Sequence, residues 1–307
     1  METTSPLRGR DYLQVDDLTA DELGRLLDLA DRLKAMQHER RPHRLLPERS
    51  LAMIFERAST RTRVSFEVGM HQLGGSAVPL TAAQTQLGRG ESLADTGRVL
   101  SRYVDAIVFR TGPHERVVEL AEAADIPVVN ALTERHHPCQ ALADLQTLRE
   151  RLGPLAGKRL AWFGDGDNNV CRSLTTAATM LGMTVVIASP DGYRPSAEEL
   201  AAIGGDIAVA DDPAEAAAGA HALVTDVWAS MGQEEERERR LRDLERFRVD
   251  AKLAAAADPD HVVLHCLPAH PGEEIAEDVL YGAHSAVWDE AENRLHSQKA
   301  LLALLVA

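Results

Sequence analysis

The segment Phe55-Glu-Arg-Ala-Ser-Thr-Arg-Thr-Arg-Val-Ser-Phe66 sets the hydroxyls of Ser59, Thr60 and Thr62 among the guanidiniums of Arg57, Arg61 and Arg63. It lies where an apolar run, Leu51–Phe55, gives way to a helix-like run, Val64–Leu73. A strand turning into a helix leaves backbone N–H groups unpaired at the positive end of the helix dipole, which is a good seat for a phosphate. Ser59, Thr60 and Thr62 add neutral donors, and Arg61 or Arg63 adds a fork that can grip two oxygens at once. The alternative, a solvated basic turn, is unusual in a chain whose net charge is −15.

Other segments also offer chemistry. Gly164-Asp-Gly-Asp-Asn-Asn169 sits between a strand-like and a helix-like run, as a dinucleotide-binding turn would. The third glycine is missing, and the amides of Asn168 and Asn169 suit a polar ligand better than a close pyrophosphate; a purely structural turn reads equally well. Asp226, in Thr225-Asp-Val-Trp-Ala-Ser-Met-Gly232, follows an apolar strand and can receive an ammonium group. Two clusters carry metal-ligating residue types: His136, His137 and Cys139, then His265, Cys266 and His270. Neither has the paired spacing of a structural zinc site, so no metal is expected. Pro138 and Pro268 read instead as fixed turns presenting their neighbours. His265-Cys-Leu-Pro-Ala-His270 begins as an apolar strand ends, the edge where open α/β sheets bind ligands. A buried and inert Cys266 is the competing reading.

The elements that must position these groups read as two alternating series. After a helix over Leu18–Met36 capped by Thr19, strands are expected at 51–55, 77–80, 106–109 and 127–130, with helices at 64–73, 92–103 and 115–124. A second cycle places strands at 159–163, 184–188, 207–210, 222–225 and 262–265. Helices are expected at 171–181, 197–203 and 213–218, with a solvated helix or two over 234–253. Short apolar strands between amphipathic helices imply parallel sheets covered on both faces. The chain therefore divides into a first domain, 1–135, an interdomain helix, 136–150, a second domain, 151–285, and a C-terminal helix, 286–307. Periodicity does not decide which domain that helix joins. The first residues are polar and read as loosely held.

A chain of 307 residues has length for two such domains. Its acidity argues against nonspecific partners among nucleic acids or acidic membranes, yet a few arginines can set the potential of one cleft. Cys139, Cys171 and Cys266 are odd in number and far apart, unlike a disulfide framework. No stretch reaches transmembrane length and the N-terminus lacks a signal-like apolar run, so cytosol is the expected compartment.

Taken in order, these segments resemble the aspartate/ornithine carbamoyltransferase family, and its ornithine branch in particular. Ser59-Thr-Arg-Thr-Arg63, Phe109-Arg-Thr111 and His137-Pro-Cys-Gln140 resemble the family's carbamoyl phosphate motifs. Asp226 with Ser230-Met-Gly232, His265-Cys-Leu-Pro268 and Glu292-Asn-Arg294 resemble the ornithine branch. The resemblance implies an α/β fold of two doubly wound open parallel-sheet domains flanking an active-site cleft, with the last helix returning to the first domain. It implies transfer of a carbamoyl group from carbamoyl phosphate to L-ornithine, giving L-citrulline and phosphate, in a homotrimer or an assembly of trimers, with no cofactor.

Carried over by position, carbamoyl phosphate falls to Ser59, Thr60, Arg61, Thr62, Arg110, His137, Gln140, Cys266, Leu267 and Arg294. Gln86 matches a residue that reaches a neighbouring subunit's carbamoyl phosphate. Ornithine falls to Asn169, Asp226, Ser230 and Met231, and the catalytic set is Arg61, Arg110, His137 and Cys266. Pro271 stands where many members carry arginine, which makes putrescine the nearest alternative acceptor.

Overall fold

The structure, a computed structural model, describes residues 5–81, 86–229 and 236–307. The chain forms two compact units, Met1–Ala143 with Glu292–Ala307, and Asp144–Ala291.

The first unit opens with α1 (Ala20–His38), β1 (Ser50–Phe55) and α2 (Thr60–Gln72). It continues through β2 (Ser76–Thr81), α3 (Leu93–Leu100), β3 (Ala106–Arg110), α4 (His114–Ala123) and β4 (Val128–Leu132). The Thr19 hydroxyl accepts from the Glu22 backbone at 3.3 Å, and the Glu22 carboxylate accepts from the Thr19 backbone at 2.8 Å, closing a capping box on α1. The four strands run parallel in the order β2-β1-β3-β4. Ile54, Ile107, Phe109 and Val128 pack in one core with Val117 and Leu120 of α4. Residues buried on both faces of a sheet favour apolar runs, which is why the central strands β1 and β3 stand out in the sequence.

Two local readings change. The helix α2 begins at Thr60, four residues ahead of the apolar periodicity, because the Ser59 hydroxyl caps it by accepting from Thr62 N at 3.3 Å. Thr60 to Arg63 therefore form its first turn. Residues 1–4 lie outside the described residues, and those from Leu7 to α1 are not loose: Leu7, Tyr12 and Val15 are buried, and Tyr12 bridges Val129 in β4 through two backbone hydrogen bonds of 2.9 Å.

After α5 (Pro138–Leu152) the second unit runs β5 (Arg159–Phe163), α6 (Asn169–Met180), β6 (Thr184–Ala188), α7 (Ala197–Ile203), β7 (Ile207–Ala210), α8 (Pro213–Ala217) and β8 (Ala222–Thr225). It continues with α9 (Arg237–Leu244), α10 (Ala251–Ala256), β9 (Val262–His265), α11 (Glu277–Leu280) and the start of α12 (Val287–Val306). Its strands are parallel in the order β7-β6-β5-β8-β9. The two joins between units fall inside helices, at Ala143/Asp144 in α5 and at Ala291/Glu292 in α12. Among the described residues no helix is long and apolar enough to cross a membrane.

Candidate active site

In each sheet the central strands are joined out of sequence order, β1 to β3 and β5 to β8, and crevices open at the carboxyl ends of such strands. The first sheet sends Ser59, Thr60, Arg61 and Thr62 from the end of β1, Arg110 from the end of β3, and His137 with Gln140 from the end of β4. Opposite β3 the ladder pairs Phe109 with Asn130 but Arg110 with Leu132, skipping Ala131; such a bulge re-aims the side chain at its edge. Arg294 arrives from α12 and is buried, as are Thr62, Arg110, His137 and Gln140. It donates to Gln140 Oε1 at 2.6 Å and to Thr62 Oγ1 at 3.1 Å.

The guanidiniums of the opening segment divide by function. Arg57 pairs with Glu134, and Arg63 faces Glu67 at 3.7 Å one helical turn away. Arg61 is the one whose charge reaches His137. Burial, then the charges of Arg294, Arg110 and Arg61, hold the His137 imidazole well below its ordinary pKa. His137 is thus a neutral ring inside a cationic cluster: it can offer an N–H but not a second positive charge. Gln86 is exposed on the 3-10 turn Gln86–Arg89.

The second sheet sends Asn168 and Asn169 from the end of β5, Asp226 from β8, and Cys266 with Leu267 from β9. Asp226 is buried and accepts three hydrogen bonds: from Cys266 Sγ at 3.0 Å, Val227 N at 2.7 Å and Asn168 Nδ2 at 3.0 Å. Burial, then the Asp226 carboxylate, pushes the Cys266 thiol well above its ordinary range. It is a protonated donor rather than a thiolate nucleophile. Leu267 is held at φ +56, a strained position for a branched residue, with its N–H on His265 Nδ1 at 2.9 Å. Ser230 and Met231 lie outside the described residues.

The Gly164 turn serves packing. Gly164 has φ +110, and a Cβ there would lie 2.7 Å from the indole nitrogen of buried Trp228. A Cβ on Gly166 would lie 2.9 Å from both Ile187 and Pro195. The space a dinucleotide turn reserves for pyrophosphate is taken at Gly164 by an indole. Gly164→Ala is accordingly expected to destabilise the protein by about 2–4 kcal/mol, combining overpacking and backbone strain. Urea unfolding would measure it, and a loss under about 0.5 kcal/mol would show that Trp228 yields.

Two family models match the chain in turn. The carbamoyl-P binding domain of aspartate/ornithine carbamoyltransferases matches residues 10–150, and their Asp/Orn binding domain matches residues 156–305. The chain belongs to the aspartate/ornithine carbamoyltransferase family. Among its carbamoyltransferase relatives, the ornithine carbamoyltransferase of Mycolicibacterium gilvum is 54% identical over 304 residues, covering 97% of this chain and 98% of that protein. That of Methanocorpusculum labreanum is 50% identical over 300 residues, covering 97% and 98%. The solved ornithine carbamoyltransferase from Pyrococcus furiosus superposes with a TM-score of 0.93 at 49% identity, covering 99% of both chains. That from Thermus thermophilus gives 0.88 at 45% identity, covering 97% of this chain and 99% of the other.

In this carbamoyltransferase two members of the His/Cys clusters, His265 and Cys139, serve as braces. His265 is fully enclosed with both ring nitrogens engaged, Nδ1 by Leu267 N and Nε2 by Glu274 at 3.1 Å. Its own N–H goes to Glu290 at 2.9 Å, so His265 anchors the strained Leu267 turn. Cys139 Sγ donates to the Asn130 carbonyl at 3.4 Å, and burial pushes its pKa up to about 12. A further group, His38, Glu292 and His296, brings ligand atoms within 4.8 Å of one another. Lys34 stands 3.9 Å from Glu292, and burial, then the charge of Lys299, holds down the His296 pKa, so a dication would meet two ammonium groups there.

Two residues take parts that the sequence did not give them. Asn168 touches Asp226, while its amide oxygen caps α6 through Val170 N at 2.6 Å and Cys171 N at 3.3 Å. The clue was its place one residue before a helix, where asparagine is a favoured cap. His265 stood out only as a member of a His/Cys cluster and of a motif, and its bracing role was not legible, because Glu274 and Glu290 reach it through the fold.

Proposed function

We infer that the protein transfers the carbamoyl group of carbamoyl phosphate to the side-chain amine of L-ornithine, giving L-citrulline and phosphate. The observation that carries this is likeness along almost the whole chain, at 50–54% identity, to proteins named ornithine carbamoyltransferase.

The chemistry of each half supports the roles. In the reaction the amine lone pair attacks the carbonyl carbon, a C–N bond forms, the C–O bond to phosphate breaks, and the proton lost by the amine passes to the departing phosphate. Arg61, Arg110 and Arg294, with Ser59, Thr60, Thr62 and the N-terminus of α2, hold the phosphate and oppose the charge it gains on leaving. Neutral His137 donates to the carbonyl oxygen as the tetrahedral state forms, and Gln140 holds Arg294 beside it. Asp226 takes the α-ammonium of ornithine, with Asn169, Ser230 and Met231 around the same amino acid. Cys266 and Leu267 are assigned to the carbamoyl group by their match to the family.

The attacking amine is lysine-like, so presenting it neutral at pH 7 costs roughly 4–5 kcal/mol before the site acts. Exclusion of water when the two substrates meet lowers that cost. No cofactor enters the scheme. A homotrimer is part of the proposal: Val64 and Val68 on α2 and Val78 on edge strand β2 are exposed apolar residues suited to a subunit contact, and exposed Gln86 is suited to reach a neighbour's phosphate.

A substrate panel tests the reading. With carbamoyl phosphate supplied, the purified protein is expected to form citrulline from ornithine much faster than it carbamoylates putrescine or aspartate. Preference for either of those acceptors would overturn the assignment.

A further inference from the structure

We infer that Ser65 and Gln298 are positioning residues for Arg294, and through it for the carbamoyl phosphate half of the site; this rests on the role just given to Arg294. Gln298 lies one turn beyond Arg294 on α12, and Ser65 lies three residues beyond Thr62 on α2. Arg294, Gln298 and Ser65 are 3%, 0% and 9% exposed, so their polar atoms must find partners in the protein.

They find one another. The Gln298 amide oxygen meets Arg294 Nη2 at 3.0 Å and Nε at 3.2 Å, while the amide nitrogen donates to Ser65 Oγ at 2.6 Å and to the Arg294 carbonyl at 3.2 Å. The reverse orientation would set amide N–H groups against guanidinium N–H groups, so the partners fix the amide. Ser65 passes its own hydrogen to the Thr62 carbonyl at 3.2 Å, and the Thr62 hydroxyl accepts from Arg294 Nη2 at 3.1 Å. The ring of bonds runs from Arg294 through Gln298, Ser65 and Thr62 back to Arg294. It ties the guanidinium to the first turn of α2, where the phosphate donors stand.

The choice of an amide matters. A carboxylate at 298 would hold the guanidinium at least as firmly but would cancel its charge, and with it the attraction for phosphate. An uncharged acceptor fixes the plane of the fork and leaves the field intact. A fork held before the substrate arrives has less freedom to lose on binding and less reorganisation to do as charge develops.

The test is steady-state kinetics of the parent, Gln298→Met, Ser65→Ala and the double variant, with each substrate varied and thermal midpoints recorded in parallel. Gln298→Met is expected to raise KM for carbamoyl phosphate about tenfold and lower kcat, with KM for ornithine within about twofold of the parent. Ser65→Ala should move the same constants by about threefold, and the double variant should do no worse than Gln298→Met, because both residues act through one amide. The inference is overturned if folded Gln298→Met keeps the parent's kcat and KM for carbamoyl phosphate. It is equally overturned if both KM values rise together, which marks general loosening. Should Gln298→Met not fold, an unchanged KM for carbamoyl phosphate in Ser65→Ala overturns it alone. A parent that forms no citrulline defeats the assigned reaction itself, whereas an active parent with unaffected variants defeats only the positioning role.

Discussion

Arg61→Lys is expected to cut turnover by on the order of a hundredfold or more while also weakening carbamoyl phosphate binding. Arg57 and Arg63 face carboxylates of their own, Glu134 and Glu67, whereas the charge of Arg61 is felt at His137. Lysine keeps the charge but replaces a planar two-pronged donor with a single flexible ammonium. The loss should exceed that of ground-state binding, because the phosphate gains charge only as its bond to the carbamoyl carbon breaks. Removing one well-placed transition-state donor costs about 3–4 kcal/mol. Steady-state rates with separate carbamoyl phosphate binding measurements would decide the matter. Unchanged affinity and turnover would show that Arg110 and Arg294 suffice.

Asp226→Asn is expected to fail on the other substrate. Each polar neighbour named for Asp226 is a donor: Cys266 Sγ, Val227 N and Asn168 Nδ2. An asparagine must turn its NH2 toward one of these donors in either orientation, so the substitution removes the charge and also leaves a buried clash of donors. Truncating one side of a buried, hydrogen-bonded charge pair costs about 2–5 kcal/mol, and kcat/KM for ornithine should fall by on the order of a hundred- to a thousandfold. Carbamoyl phosphate affinity, set mainly by the phosphate donors Ser59 to Thr62, Arg110 and Arg294, should stay near that of the parent. A parallel loss of carbamoyl phosphate affinity would show that Asp226 supports the whole site instead of ornithine capture. Unchanged kcat/KM for ornithine would remove it from the site.

The sequence by itself determined the strands and the kind of chemistry. β5, β6, β7, β8 and β9 fall on the spans of their largely apolar runs, because a parallel strand covered on both faces favours apolar residues along its length. Hydroxyls and guanidiniums at the start of a helix announce an anion whatever the rest of the chain does. Tertiary structure decided which of those groups can act. The start of α2 followed a hydroxyl cap rather than an apolar period, and Asn168 reached Asp226 across 58 residues. Thr62, Gln140 and Arg294 each stood out along the chain, but 154 residues separate the arginine from the glutamine whose oxygen it meets. Ser65 and Gln298 carried no signal at all, since a serine and a glutamine in amphipathic helices read as surface. Periodicity records which face of an element is turned inward. It does not record which group on another element waits there, and a buried hydrogen bond is specified by that second group as much as by the first.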